Sequence, residues 1–202
     1  MTRKKILDYF TIEGTPGGNQ EWLPEWDMNM GGCAAVTACD TCIFLSELDE
    51  KFRSLYPFDP KNLSRDDFIN FASIMKPFLT PRYHGIDFLE TYICGFYDYM
   101  KKVKNNSLIL EGISGNVDYE TFSDAIINQI DRNFPVPFLL LNHHDVKLDD
   151  FEWHWFNLAG YEILENDINV LTVTYAEYQW FSLRNLHDTH NERKGGFIRV
   201  RG

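Results

Sequence analysis

The sequence lacks any run of about 18 apolar residues, which is the length that a membrane-spanning helix requires. It also lacks the apolar core of a secretory signal peptide. The basic start MTRKKILDYF gives way after a few apolar residues to Asp8, Thr11 and Glu13. We therefore expect a cytoplasmic protein with no membrane partner.

Positive charge is scarce in the chain. Lysine and arginine number 19 against 30 aspartate and glutamate residues, which gives a formal net charge of -11 and a pI near 4.9. Because so acidic a protein repels phosphates, we expect no nucleic-acid partner. The basic run KKVKN at 101–105 is typical of a solvated helix end.

Cysteine is sparse too, with four residues, and disulfides are not the expected use of cysteine in a reducing compartment. Cys39 and Cys42 form a CDTC motif, which suggests a redox dithiol or half a zinc site. A redox pair needs its first cysteine at a helix N-terminus, and no second CxxC motif completes a tetrahedral site. Since both residues lie inside a helix predicted to begin at Cys33, we interpret them as core residues.

The NHHD sequence at 142–145 offers other candidate metal ligands. His143, His144 and Asp145, together with His154, could supply nitrogen and oxygen ligands to a transition metal. Adjacent side chains at a strand end point in opposite directions, so both histidines rarely bind one ion. We therefore expect neither a metal nor another cofactor, and we place His143 at the mouth of a cleft, in contact with substrate.

The order of secondary-structure patterns predicts an α+β fold. Helical patterns come first: a buried helix from Cys33, an amphipathic helix capped at Ser64 by SRDD, and helices over 86–103 and 118–130. Short apolar runs bounded by turn residues follow from Phe134 and predict strands.

This order also predicts how the chain is divided. We expect one domain over 1–202, with a mainly helical lobe over 1–132 and an antiparallel β lobe over 133–202. The Gly- and Pro-bearing segment TPGGNQEWLPEW at 15–26 is typical of an irregular, structured loop.

Cys33 is the candidate nucleophile. It follows Gly31 and Gly32, whose backbone can approach a substrate closely, so we expect Gly32 to contact substrate. It opens a helix, where unpaired N–H groups and the macrodipole favour a thiolate. The small residues Ala34 and Ala35 leave room for an acyl group. A buried structural cysteine is the alternative that these features leave open.

His154 is the candidate general base. It begins an apolar strand in EWHWFNLAGYE, and such a strand gives a catalytic imidazole a rigid mount and shielding from water. The alternative is a core histidine with its hydrogen bonds satisfied. The neighbouring Trp153 is a candidate for the substrate-binding wall of the cleft.

These two motifs carry a family resemblance. GGCAAVTACDTCIFL, followed about 120 residues later by HWFNLAGYE, resembles the papain-like cysteine peptidases, and more narrowly the bacterial double-glycine (bacteriocin-leader) peptidase-like branch. There the cysteine heads the central helix of the first lobe, and the histidine starts a strand with a later Gly-Tyr, here Gly160 and Tyr161. The resemblance implies a papain-like fold with the active site between the lobes. It also implies cleavage of a peptide or small amide substrate through an acyl-enzyme.

The resemblance further implies an oxyanion donor upstream of the nucleophile, usually a glutamine. Gln20 is the one upstream glutamine, with Asn19 and Asn29 as substitutes. An amide beside the backbone N–H of the cysteine stabilises a tetrahedral oxyanion. A turn-capping role for Gln20 is the alternative.

The third member of the site departs from the family pattern. Papain-like enzymes place Asn or Asp at the end of the strand after the histidine strand. That position falls here near Thr174 and Tyr175, so Thr174 is expected to orient the imidazole. The family's frequent glycine after the cysteine is replaced by Ala34.

These departures bear on the chemistry rather than on the fold, and they leave alternatives open. One is a non-catalytic peptide- or ligand-binding module on the same fold. Another is an amide hydrolase or acyltransferase that acts on a small secondary metabolite. A metal-binding protein built on His143 and His154 is the third.

Overall fold

The computed structural model describes residues 3–82 and 85–202, and within them the chain forms an α+β fold. Its α-helices are α1 (Trp26–Gly31), α2 (Cys33–Leu48), α3 (Arg65–Met75), α4 (Leu89–Lys102), α5 (Tyr119–Asp131) and α6 (Leu183–His187). Its strands are β1 (Arg3–Ile6), β2 (Thr11–Ile12), β3 (Thr15–Pro16), β4 (Ile109–Ser114), β5 (Val136–Leu140), β6 (His154–Ile163), β7 (Ile168–Thr174), β8 (Glu177–Ser182) and β9 (Gly195–Arg201). Short 3-10 helices cover Gln20–Trp22, Glu50–Leu55 and Val146–Phe151.

The strands form one large antiparallel sheet and one small hairpin. The seven-stranded sheet has the order β4-β9-β5-β6-β7-β8, and β1 pairs with the distal half of β6, beyond the residues that pair with β5. β2 pairs only with β3. Because β6 lies inside the sheet, its first residue, His154, has a rigid mount.

Helix α2 packs against β6 and is buried on almost every side. From Cys33 to Ser46 each of its residues is buried, so this part of the helix has no face exposed to solvent. A helix buried all round belongs in the interior of a protein, and its polar side chains there, such as Asp40 and Thr41, need hydrogen-bond partners. The sequence prediction of a buried helix that begins at Cys33 is confirmed.

Local sequence signals place the ends of two outer helices. Ser64 caps α3: its Oγ accepts the Asp67 backbone N–H at 3.1 Å and donates to the Asp67 carboxylate at 2.7 Å. Asp118 caps α5 by accepting the Thr121 backbone N–H at 2.9 Å. Each of these caps satisfies a backbone donor that the helix leaves unpaired.

The predicted α+β class is confirmed, but the separation into a helical half and a β half is only partial. Strands β1 and β4 belong to the first 132 residues, yet both join the large sheet. The prediction of an irregular loop over 15–26 is wrong in part, because the segment contains β3, the 3-10 helix Gln20–Trp22 and the first residue of α1. In the residues that the structure describes, no helix is both long enough and apolar enough to cross a bilayer.

Candidate functional site

A cavity of about 760 Å³ lies where the start of α2 meets the start of β6. Such a volume is typical of a site for a small-molecule or short peptide ligand. Its lining includes Gln20, Trp26, Asp27, Met30, Gly31, Cys33, Pro81, Arg82, Gly85, Glu152, Trp153, His154 and Tyr175. Four of the seven residues predicted for the site, Gln20, Cys33, Trp153 and His154, are therefore brought to one cavity.

Cys33 is the first residue of α2, and Gly32 is the capping residue between α1 and α2. A Cβ on Gly32 would lie 2.4 Å from the Met28 carbonyl oxygen, so only glycine lets the chain pass so close to α1. Gly32 itself does not line the cavity, whereas Gly31 does. The glycine pair thus positions the cysteine. The member of the pair that lies at the cavity wall is Gly31 and not Gly32, for which the contact with substrate was predicted.

The surroundings of the Cys33 sulfur favour the neutral thiol. The side chain is 5% exposed, and this burial raises its pKa above the ordinary value for cysteine. Backbone N–H groups of Trp155, Ala34 and Cys33 lie against the sulfur and lower the pKa, but by less than burial raises it. The effect expected from the helix N-terminus is therefore present but does not dominate.

His154 lines the same cavity as Cys33. Its Nε2 lies 2.8 Å from the Thr174 hydroxyl, which is the contact that the sequence predicts for the imidazole. Burial lowers the His154 pKa to about 4, and no charged group among the described residues opposes that shift. The imidazole is therefore neutral at pH 7.

The two candidate catalytic groups line one cavity without being hydrogen-bonded to each other. No hydrogen bond joins the Cys33 sulfur to the His154 ring among the described residues, and none engages Nδ1 of His154. The raised thiol pKa and the lowered imidazole pKa both favour the neutral pair over a thiolate–imidazolium pair in the free protein. Unliganded enzymes often have long or unformed catalytic hydrogen bonds, so this geometry is compatible with catalysis.

Gln20 lies in the 3-10 helix that precedes α1 and is one of the residues that line the cavity. Its Nε2 donates to the Asn29 carbonyl at 2.7 Å, and its Oε1 is buried with no partner among the described residues. An amide nitrogen has two donor hydrogens, so one stays available after the bond to Asn29. Asn19 and Asn29, the two substitutes, do not line the cavity and instead bond to nearby backbone.

His143 lies outside this cavity, although the sequence analysis placed it against substrate. Its Nδ1 accepts the Asp145 backbone N–H, and its Nε2 bonds to the Asn185 carbonyl, both at 2.9 Å. These partners occupy both ring nitrogens, with Nδ1 as acceptor, so neither nitrogen is left for a substrate. His143 does act on the cavity indirectly, since its backbone N–H donates to the carboxylate of Glu152.

Metal binding receives no support from the arrangement of ligand side chains. No group of three or more His, Cys, Asp or Glu residues in the described ranges 3–82 and 85–202 could hold an ion. Cys39 and Cys42 are fully buried in α2, and burial raises the pKa of both thiols well above the ordinary value. The CDTC motif is therefore part of the core, as the sequence analysis interpreted it.

Tyr175 is a site residue that the sequence analysis did not select. It follows Thr174 in a two-residue hairpin turn between β7 and β8, where Tyr175 and Ala176 have φ values of 51° and 60°. Such turns usually carry Asn or Gly, because other residues are strained at positive φ. Trp153, just before His154, also has a positive φ of 53°. Strained residues thus lie immediately before His154 and immediately after its Thr174 partner.

Asp40 is a second residue that the sequence did not single out. It lies on α2 and connects that helix to the segments that carry Gln20 and Tyr175. Its carboxylate accepts the Gly18 backbone N–H at 2.9 Å and lies 3.5 Å from the Tyr9 hydroxyl. The Gly18 carbonyl in turn accepts the Ala176 backbone N–H at 3.3 Å. Burial raises the Asp40 pKa to about 7. Helix α2, the segment that carries Gln20, and the turn at Ala176 are therefore tied to one carboxyl group.

The chain has no significant match among family models, curated proteins or solved structures. Its function must therefore be inferred from the geometry of the cavity and from the two sequence motifs at Cys33 and His154.

Proposed function

We propose that the protein is a thiol hydrolase that resembles papain-like enzymes, with Cys33 as nucleophile and His154 as general base. The observation that carries the proposal is the position of both residues in the lining of one cavity, each at the first residue of a buried element. Thr174 bonds the far nitrogen of the imidazole, which leaves Nδ1 for the thiol. A peptide or small amide is the substrate class.

In the first half-reaction the Cys33 sulfur attacks the carbonyl carbon of the amide. A C–S bond forms while the thiol proton passes to Nδ1 of His154. The C–N bond then breaks, and His154 gives the same proton to the departing amine. This half-reaction leaves a thioester on Cys33.

In the second half-reaction His154 takes a proton from a water molecule, whose oxygen attacks the thioester carbon. The C–S bond breaks and the proton passes to the sulfur, which restores the thiol and releases a carboxylic acid. An amine or alcohol in place of water gives acyl transfer by the same steps. The chain's own residues therefore suffice for either outcome.

Charge that develops on the carbonyl oxygen needs donors that are already in place. Gln20 has an amide hydrogen available, and backbone N–H groups of Cys33 and Trp155 lie beside the sulfur. One such donor contributes about 3 kcal/mol to the stabilisation of a transition state in other enzymes. The mechanism uses the tautomer in which Nε2 donates its proton to the Thr174 hydroxyl and Nδ1 can accept.

A second candidate, a non-catalytic binding module, is favoured by one observation. The thiol pKa is raised, the imidazole pKa is lowered, and no hydrogen bond joins the two groups. A site retained for binding alone would keep the cavity without needing a reactive thiolate. The two candidates differ in one respect that can be measured: only the enzyme turns over.

Turnover of an activated ester and of fluorogenic peptide amides tests the proposal. Cys33→Ala should abolish hydrolysis of both, and His154→Gln should lower the rate about 100-fold, which is typical for loss of a general base. Cys94→Ala, which removes an exposed cysteine outside the cavity, is the matched control and should leave the rate unchanged. Hydrolysis that survives Cys33→Ala would overturn the assignment, and no turnover by the native protein would favour the binding module.

A further inference from the structure

The charged side chains that line the cavity differ in whether they have an ion-pair or hydrogen-bond partner. Asp27 accepts from Lys76 at 2.9 Å, and the Glu152 carboxylate accepts the His143 backbone N–H. Arg82 is exposed and forms no ion pair or side-chain hydrogen bond with any residue that the structure describes. Among the described residues, Arg82 thus presents to the cavity that contains Cys33 a guanidinium with no acidic partner.

The wall beside this cation is apolar and open to solvent. Trp26 is 79% exposed and Met30 is 65% exposed, and both line the cavity. They are four residues apart on α1, so they lie on one face of the helix. Large apolar side chains exposed in a cleft are typical of a surface that a ligand covers.

We infer that the substrate is an amide that carries a carboxylate, bound by Arg82, and a bulky apolar group, bound against Trp26 and Met30. This inference rests on the proposed function and names the substrate class of the same site. A guanidinium binds a carboxylate through two parallel hydrogen bonds, which gives direction as well as affinity. The carboxylate can belong to an acidic side chain or to the free end of a peptide.

The other charges of the cavity select a substrate with one negative charge over a more highly charged anion. Asp27 and Glu152 line the same cavity as Arg82, and their fields oppose a second negative charge on the ligand. A phosphate dianion would meet this repulsion, whereas a single carboxylate can pair with Arg82 alone. The charge pattern therefore favours an acidic peptide over a phosphorylated one.

Four matched peptide amides test whether the site prefers a substrate that carries a carboxylate. One pair has Glu or Gln next to a Phe, with the chain end blocked, and the other has a free carboxylate or a carboxamide end after an uncharged sequence. We expect kcat/KM to be about fivefold higher for the acidic member of at least one pair at low salt, with the preference fading as salt rises. The pair that responds identifies the source of the carboxylate.

Variants at Arg82 decide whether the preference comes from this side chain. Arg82→Gln should remove the preference and Arg82→Lys should retain part of it. Arg132→Gln, which removes the same charge away from the cavity, should leave it unchanged. Equal rates for both members of both pairs, or a preference that survives Arg82→Gln, would overturn the inference.

A further pair of peptides, one with Phe and one with Ala, tests the apolar wall formed by Trp26 and Met30. Trp26→Ala should lower kcat/KM about tenfold for a Phe-containing peptide and much less for its Ala counterpart. An unchanged ratio of Phe to Ala rates would contradict the assignment of this wall. Acylation of Cys33 by an uncharged activated ester separates the proposed function from the inference on substrate class. If Cys33 is not acylated, the proposed function fails. If Cys33 is acylated but the peptides show no preference for a negative charge, only the inference on substrate class fails.

Discussion

The ring of Tyr175 lies parallel to the ring of His154, with the centroids 4.8 Å apart and an angle of 4° between the planes. The phenol covers one face of the imidazole, while the neighbouring Thr174 bonds its edge at Nε2. The last residue of β7 and the first residue of the turn that follows it therefore hold the edge and the face of the histidine ring. The burial that lowers the His154 pKa to about 4 comes in part from this cover.

Removal of the Tyr175 ring should raise the His154 pKa. Tyr175→Ala opens one face of the imidazole to water, so its pKa should move from about 4 toward the ordinary value, as measured by NMR titration of the ring protons. Tyr175→Phe keeps the stack and is the matched control. The same titration midpoint in the Ala and Phe variants would show that Tyr175 does not shield the histidine.

Loss of the Thr174 hydroxyl should slow the chemistry without loss of the fold. Thr174→Val removes the partner of Nε2 while it keeps the side-chain shape, so acylation of Cys33 should fall about tenfold or more because the tautomer is no longer fixed. Thr174→Ser retains the hydroxyl and should retain most of the rate. Thr174→Asn supplies the amide found in papain-like enzymes. A Val variant as fast as the native protein would exclude the orienting role.

Alkylation of Cys33 should follow the pH profile of a thiol whose pKa is raised. Because burial raises the Cys33 pKa, the rate with iodoacetamide should keep rising with pH beyond about 8.5, the usual value for a free thiol. Peptide mass spectrometry can follow Cys33 separately from the exposed Cys94. A rate plateau at mildly acidic pH would instead reveal a preformed thiolate–imidazolium pair and contradict the neutral resting state.

Two buried groups should give opposite pH dependences of stability. The His154 pKa is lowered to about 4, so between pH 4 and its unfolded value near 6.5 the unfolded chain binds the extra proton and stability rises with pH. The Asp40 pKa is raised to about 7, so between its unfolded value near 3.8 and pH 7 the folded protein binds the extra proton and stability falls as pH rises. The two contributions oppose each other in almost the same interval.

Substitution of Asp40 should expose the histidine contribution. In Asp40→Asn the change in free energy of unfolding from about pH 4.5 to about pH 7 should be more positive than in the native protein, by about 3 kcal/mol. In His154→Phe it should be more negative by a smaller amount. Urea unfolding at the two pH values measures both. Parallel curves for native protein and Asp40→Asn would show that the carboxyl does not titrate in this interval.

Much of the fold follows from local sequence patterns. The helical spacing of apolar residues after Cys33, with no Pro or Gly among them, predicts a buried helix. The SRDD signal at Ser64 predicts a helix start that the structure has. Strands in the second half follow from short runs of β-branched and aromatic residues. The start of β6 at His154 and the end of β7 at Thr174 bring together the two residues that the sequence pairs.

The remaining parts depend on pairing and packing over long sequence distances. The exposed segment RKKI forms strand β1 only because it pairs with β6, some 155 residues away in the chain. The role of Asp40 depends on the close approach of Gly17, where a Cβ would lie 2.5 Å from the carboxylate, and of Gly18, whose backbone N–H donates to it. The GG pair in TPGGNQ was an available signal of such an approach. Tyr175 gives no such signal, because tyrosine rarely adopts a positive φ and its sequence position therefore does not indicate a hairpin turn.

Trapping of an acyl-enzyme tests the central claim most directly. The native protein is mixed with an activated ester, quenched in acid within the first turnover, and analysed by intact mass and peptide mapping. One acyl group on Cys33, formed about 100-fold more slowly in His154→Gln, is the predicted result. Acylation confined to Cys94, or acylation of Cys33 at the same rate with and without His154, would contradict the assignment of Cys33 and His154 as a catalytic pair.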